Sequence, residues 1–277
     1  MIKAIILDID GVIVGEKVGY NSPEPHPDVM VRMNQIKDSG VKIILCTAKP
    51  HFAIRNIIGG ANLANPHITD GGGVLIDPIT NKIVKKYALS DADARKVLKM
   101  CLDNDIYVEA YTEDEYVIQR SQVCDITDQH THILQTEPLI VDDLLAFRGE
   151  ITKIMPVVNG EEEKAKFAEL FNSLGTDLTL NWGIHPIALP LLFGIITAKG
   201  ISKKQGMLDI LDSLGISSEN ALGVGDSNSD WQYMELCGST ATMANASDEL
   251  KSKAAFTGGH VDENGVLDIF DSFFGEG

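Results

Sequence analysis

Residues 5–15 read IILDIDGVIVG, an apolar run broken by two acids, and no other feature restricts the fold as much. A stretch that is apolar at every position has no face for solvent. As a strand it is covered on both sides, the usual situation in parallel sheets. The next segments agree. In VMVRMNQIKDSG, Val29, Met33 and Ile36 fall on one helical face and Gly40 suits the stop, while VKIILCT (41–47) is a second buried strand. Strand, helix and strand with short joints make a βαβ unit, hence a parallel sheet with helices over its faces.

Beyond a hairpin at 74–87, turning at Pro-Ile-Thr-Asn, the pattern changes. SDADARKVLKMCLDN predicts a helix capped by Ser90, with Ala94, Val97, Leu98, Cys101 and Leu102 on one face. IYVEAY, EYVIQR, ITKIMPVV and DLTLNW read as strands, and EEEKAKFAELFNSL as a helix with acids at its positive end. These lack a parallel rhythm, so 86–190 reads as an α+β module. The first pattern resumes at KKQGMLDILDSLG (203–215) and NALGVGD (220–226). The expected fold is α/β: a Rossmann-like parallel-sheet core, residues 1–85 and 191–277, with helices on both faces and the module 86–190 inserted.

The formal charge is −17, from 40 acids against 23 bases, which argues against nucleic acid or anionic membrane as partners. No run approaches the roughly 18 apolar residues of a membrane helix, and the N-terminal run meets Asp8 too early for a signal peptide. Cys46, Cys101, Cys124 and Cys237 are scattered, without CxxC, and read as reduced thiols. A cytoplasmic protein is expected; its oligomeric state stays open.

Chemistry-bearing residues sit where strands end. They are Asp8 and Asp10, Thr47, and Asp226 with Asp230 in GVGDSNSD; Lys203 opens a helix. In open α/β sheets such positions converge on one crevice at the carboxyl ends of the strands. Two carboxylates this close raise each other's pKa unless a cation sits between them. Asp8 and Asp10 would need none if they only capped a turn, but a second acid-rich loop after another buried strand favours a hard divalent cation such as Mg²⁺. Lys203 and Lys204 stand at a helix N-terminus, where the macrodipole disfavours cations unless an anion is held there. Ser202 is the natural N-cap. Thr47 offers a hydroxyl and a backbone N–H to an anion.

Taken in order, DIDGV, ILCTAK, GISKKQG and GVGDSNSD resemble the four motifs of the haloacid dehalogenase-like (HAD) superfamily. The 37 positions from Asp10 to Thr47 leave no room for a domain, whereas the 156 from Thr47 to Lys203 do. An insert there resembles the α/β cap of the Cof-type branch, which includes many sugar-phosphate phosphatases. ITDGGGVLID and GGHVDENGVLDIF resemble other parts of that branch. The resemblance implies that Asp8 is the nucleophile, becoming an aspartyl-phosphate. It makes Asp10 the general acid and base, with a raised pKa in the loaded site. Thr47, Ala48 and Lys203 would bind the phosphoryl oxygens. Asp8, Asp10 through its backbone carbonyl, and Asp226 would hold Mg²⁺, with Asp230 as a further ligand or an orienter. The implied substrate is a small phosphorylated metabolite, a sugar or polyol phosphate. A phosphomutase or phosphotransferase on the same motifs, and a non-catalytic phosphometabolite-binding protein, are the alternatives.

Departures from the pattern are specific. The family's Asn before the second acid of the last motif is Ser229 here, with Asn228 one position earlier, and its Gly-Arg after the threonine is Ala48-Lys49. In the insert and its return strand, His185, Leu192 and Phe193 are candidate substrate contacts, although a packed or surface histidine is the simpler reading of His185. Gly71–Gly73 lacks the Lys-Ser/Thr of a nucleotide loop. His130 and His132 alternate as on a strand and are too few ligands for zinc. Glu109, Glu113 and Glu115 read as solvated acids around a turn.

Overall fold

The computed structural model describes residues 1–185 and 188–275. Strand β1 (Ala4–Leu7) ends at the first acid pair, and helix α1 (Pro27–Asp38) leads to β2 (Lys42–Leu45). Helix α2 (Arg55–Gly60) precedes a small antiparallel sheet of β3 (His67–Thr69), β4 (Val74–Asp77) and β5 (Lys82–Lys86). A second block holds α3 (Asp91–Asp103), β6 (Tyr107–Tyr111), β7 (Tyr116–Gln119), α4 (Asp125–Leu134) and β8 (Leu139–Val141). It continues with β9 (Lys153–Asn159), α5 (Gly160–Ser173), β10 (Thr179–Ile184) and β11 (Leu191–Thr197). The chain returns through α6 (Lys203–Leu214), β12 (Ala221–Gly225), α7 (Asn228–Met234) and β13 (Ser239–Thr242). It ends with α8 (Asp248–Lys253), β14 (Phe256–Thr257) and α9 (Val266–Phe274).

Five strands form one parallel sheet, in the order β14-β13-β12-β1-β2. The unbroken apolar run of β1 follows from its two covered faces. Ile5 and Leu7 pack with Val29 and Met33 of α1 and Phe270 of α9, whereas Ala4 and Ile6 pack with Met207 and Ile210 of α6 and Met234 of α7. Each such aliphatic side chain contributes about 1.5–3 kcal/mol when fully buried. β1 lies between β2 and β12, where the order of strand addition reverses, so the crevice beyond these three strands is a topological switch point.

The second sheet runs β10-β11-β9-β6-β7-β8, antiparallel except for β7 with β8. One face packs under α3 and α5 through Val97, Leu98 and Phe167. The other carries Tyr107, Tyr111, Met155 and Phe193 and meets Phe52 and Ala53 of the first domain. This sheet takes in β11, which pairs with both β9 and β10. The chain therefore leaves the inserted module after Thr197, not at the 190/191 division read from sequence. The stretch holding His130 and His132 is helix α4, not a strand. Two residues spaced by two look alike in either pattern; on the helix His130 turns inward and His132 outward.

Candidate active site

Asp8 follows β1 directly and is 6% exposed. Its Oδ1 accepts the Ile9 N–H at 2.8 Å, and its Oδ2 lies 2.8 Å from Lys203 Nζ at the start of α6. Lys203 also donates to Asp230 Oδ1 at 2.7 Å. Burial, then the nearby Asp230, push the Asp8 pKa well up against the pull of Lys203, and Asp226 adds to the rise. Asp226, which follows β12, is pushed up to about 8 by burial and by Asp230. The loops after β1 and β12 touch because residue 11 is glycine: a Cβ on Gly11, whose φ is +77°, would fall 1.8 Å from Asp226 Oδ2.

Asp230 is fully buried in the first turn of α7. Its Oδ2 accepts the Ser227 hydroxyl at 2.6 Å and the Ser227 and Asp226 N–H groups at 3.0 and 3.3 Å. Both oxygens are thus committed, to Lys203 and to this loop, which suits an orienter better than a metal ligand. Ser229 Oγ lies 2.8 Å from Ser227 Oγ, and since Ser227 gives its proton to Asp230, Ser229 is the donor. Asn228 is exposed. Ser202 holds the N-cap position of α6 without a side-chain capping bond, so that expectation is met in place but not in chemistry.

Asp10 faces a different set of partners. Its Oδ1 is 2.8 Å from Lys49 Nζ and 3.1 Å from His185 Nε2. Burial raises its pKa, but Lys49 and then His185 outweigh burial and hold the carboxyl well below its ordinary range. The raised pKa expected in the loaded site is therefore not the resting condition. His185 comes from the loop after β10, so the inserted module reaches the acid pair, and its Nδ1 has no partner among the described residues. Thr47 offers less than expected. Its N–H donates to Ile68 O at 3.0 Å, joining β2 to β3, and its hydroxyl oxygen accepts the Lys49 N–H, so only the hydroxyl proton is available to an anion. Ala48 lines the cleft, and its carbonyl accepts Lys153 Nζ at 2.7 Å.

Phe193 borders the cleft, but Leu192 does not. Alternation along β11 turns Leu192 to the helical side, among Val158 and Phe167. Glu109 is no solvated acid: it lies inside β6 at 0% exposure, taking bonds from Tyr107 (2.9 Å), Tyr111 (2.5 Å) and His130 Nδ1 (2.8 Å). Sequence reasoning also missed Asn245, whose Nδ2 donates to Gly11 O at 2.9 Å and Asp226 Oδ2 at 3.3 Å. It lies three residues beyond β13, a half-buried strand reading STAT, so no apolar run pointed to it.

One oxygen from each of Asp8, Asp226 and Asp230 lies within 4.8 Å of the others, the only such group of potential metal ligands among the described residues. One ammonium, Lys203, pairs with this set. Burial and the crowding of carboxylates together raise the Asp8 and Asp226 pKa values, and the donors are hard oxygens, so the site fits Mg²⁺.

A family profile described as haloacid dehalogenase-like hydrolase matches residues 5–270. The 5-amino-6-(5-phospho-D-ribitylamino)uracil phosphatase YwtE of Bacillus subtilis is 21% identical, with 97% of each chain covered. A haloacid dehalogenase-like hydrolase from Bacteroides thetaiotaomicron superposes with a TM-score of 0.84 at 19% identity, over 99% of this chain and 100% of the other. A HAD subclass IIB sugar phosphatase superposes with a TM-score of 0.81 at 21% identity, over 98% of each chain. The class these features define is that of the capped α/β phosphatases. Within it, the chain belongs to the haloacid dehalogenase-like hydrolases, in their Cof-type branch.

Proposed function

We propose that the protein is a Mg²⁺-dependent enzyme that hydrolyses a small phosphorylated metabolite through an aspartyl-phosphate. The observation that carries this reading is Asp8 paired with Lys203 in a switch-point crevice where two further carboxylates crowd it. An Asp8 oxygen attacks phosphorus, the bond from phosphorus to the alcohol oxygen breaks, and the alcohol leaves with a proton from Asp10. Water then attacks the acyl phosphate and gives its proton to Asp10; phosphate departs and Asp8 is restored.

Lys203, Lys49 and the Thr47 hydroxyl hold the phosphoryl oxygens, countering the charge spread over them in a loose transition state. Asp8, Asp226 and the main-chain carbonyl of Asp10 would hold Mg²⁺, which when bound neutralises the crowded acids and polarises a phosphoryl oxygen. Asp230 keeps Lys203 and the loop after β12 in place. At rest Asp10 is ionised by Lys49 and His185, the form that takes a proton from water. A phosphoryl dianion draws Lys49 toward itself, which lets Asp10 gain the proton that the first step needs. Unpaired cysteines are in keeping with a reducing cytoplasm.

Phosphate release from a panel of monoesters, with Mg²⁺ and with chelator, tests this beside Asp8→Asn. Release should require Mg²⁺ and fall at least about 1,000-fold in the variant. Undiminished release from Asp8→Asn, or delivery of the phosphoryl group to an added sugar instead of water, contradicts the reading.

A further inference from the structure

Between the second sheet, α4 and the loop at Ala48–Pro50 lies a cleft bordered by Asp10. On the phosphatase reading this space receives the leaving alcohol. The lysines and histidines that line it are already matched. Lys49 and His185 hold Asp10, His130 holds Glu109, and Lys153 holds Asp70 at 3.1 Å while its ammonium lies 3.7 Å above the Tyr111 ring. A second phosphate or a carboxylate on the alcohol would lose its water without gaining a free cation.

The remaining walls are carbon. Tyr111, Ile133, Leu134, Met155, Phe193 and Ile195 surround the space, and the Phe193 ring lies 5.4 Å from that of His130. Sugar hydroxyls placed there would exchange water for surfaces that cannot hydrogen-bond. One polar atom is available on this wall: Glu109 takes His130 Nδ1, while His130 Nε2 has no hydrogen bond among the described residues. The buried carboxylate and its two tyrosines fix the ring, leaving one directional contact within an apolar surround.

We infer that the preferred substrate is the phosphate monoester of an uncharged alcohol ending in a flat, largely apolar ring. That ring packs against Met155 and Phe193 and meets His130 Nε2 at its rim. The inference rests on the phosphatase reading and departs from the sugar- or polyol-phosphate expectation from sequence. It is tested by kcat/KM on four primary alkyl esters with Mg²⁺: 3-phenylpropyl phosphate, ethyl phosphate, glucose 6-phosphate and fructose 1,6-bisphosphate. The phenylpropyl ester should exceed glucose 6-phosphate by at least about tenfold and the bisphosphate by about a hundredfold. Phe193→Ala, checked for a native-like thermal transition, should cut the ratio of phenylpropyl to ethyl ester about tenfold, mainly through KM. Faster turnover of either sugar phosphate overturns the inference and leaves the phosphatase standing, as does an unchanged ester ratio in a folded Phe193→Ala. Absence of turnover with every ester overturns both.

Discussion

Two carboxylates in this protein, Asp8 in the first domain and Glu109 in the second, are buried to a similar degree and end in opposite states. Glu109 takes hydrogen bonds from His130, Tyr111 and Tyr107; burial raises its pKa, but these donors outweigh it and leave it below its ordinary value. Asp8 has Lys203 beside it but shares that lysine with Asp230 and faces Asp226 as well, and its pKa stands well above the usual range. Burial is common to both, so burial does not mark the proposed metal site. The shortage of positive charge does. A satisfied cluster needs nothing further and fixes a side chain, here His130, whereas an unsatisfied one has a place for a cation.

The comparison breaks most visibly at Glu109. Glu109→Leu takes the acceptor from His130 and the Tyr111 hydroxyl, while Tyr107 keeps Thr127 Oγ1, and should cost about 3–5 kcal/mol in denaturant unfolding. The increment in stability given by Mg²⁺ should survive, because that cluster holds no metal. Loss of the Mg²⁺ increment in this variant would mean that the two clusters are not independent.

His67 sharpens the contrast as a third solution, a buried group kept neutral. It is fully buried at the start of β3, its Nδ1 accepts the Leu45 N–H at 3.1 Å, and burial holds its pKa down to about 4. The unfolded chain gains this proton near pH 6.5 and the folded chain only near 4. His67 therefore supports the fold above about 6.5, and that support is lost as the pH falls toward 4. Between about pH 7 and 5 the wild type should lose about 2 kcal/mol more than His67→Gln. Parallel stability curves would show that His67 does not titrate as its burial requires.

Much of this arrangement was legible in the sequence because it depends on strand ends. A strand apolar on both faces has to sit inside a parallel sheet, and side chains placed after such strands meet at one edge, as Asp8, Thr47 and Asp226 do. The second sheet is read less easily. Whether Leu192 or Phe193 faces the cleft depends on which side its neighbours cover, and the burial of Glu109 depends on donors from β6 and the distant α4. His130 and His132 fit a strand or a helix by spacing, and only the packing decides. The engagement of the Thr47 N–H needs β3 beside β2, a pairing that local sequence does not announce.

The central claim, that the acid cluster of the first domain lacks one cation, is tested most directly by the stability of Asp226→Asn near pH 8 with and without Mg²⁺. Because the Asp226 pKa is raised to about 8, the metal-free fold weakens as the pH rises from about 4 toward 8, where the carboxyl ionises among other acids. Removing that charge should make the metal-free variant more stable than wild type by at least about 1 kcal/mol. Mg²⁺ should then raise the melting temperature of the wild type much more than that of the variant. A variant less stable than wild type without metal, or one stabilised equally by Mg²⁺, would contradict the account.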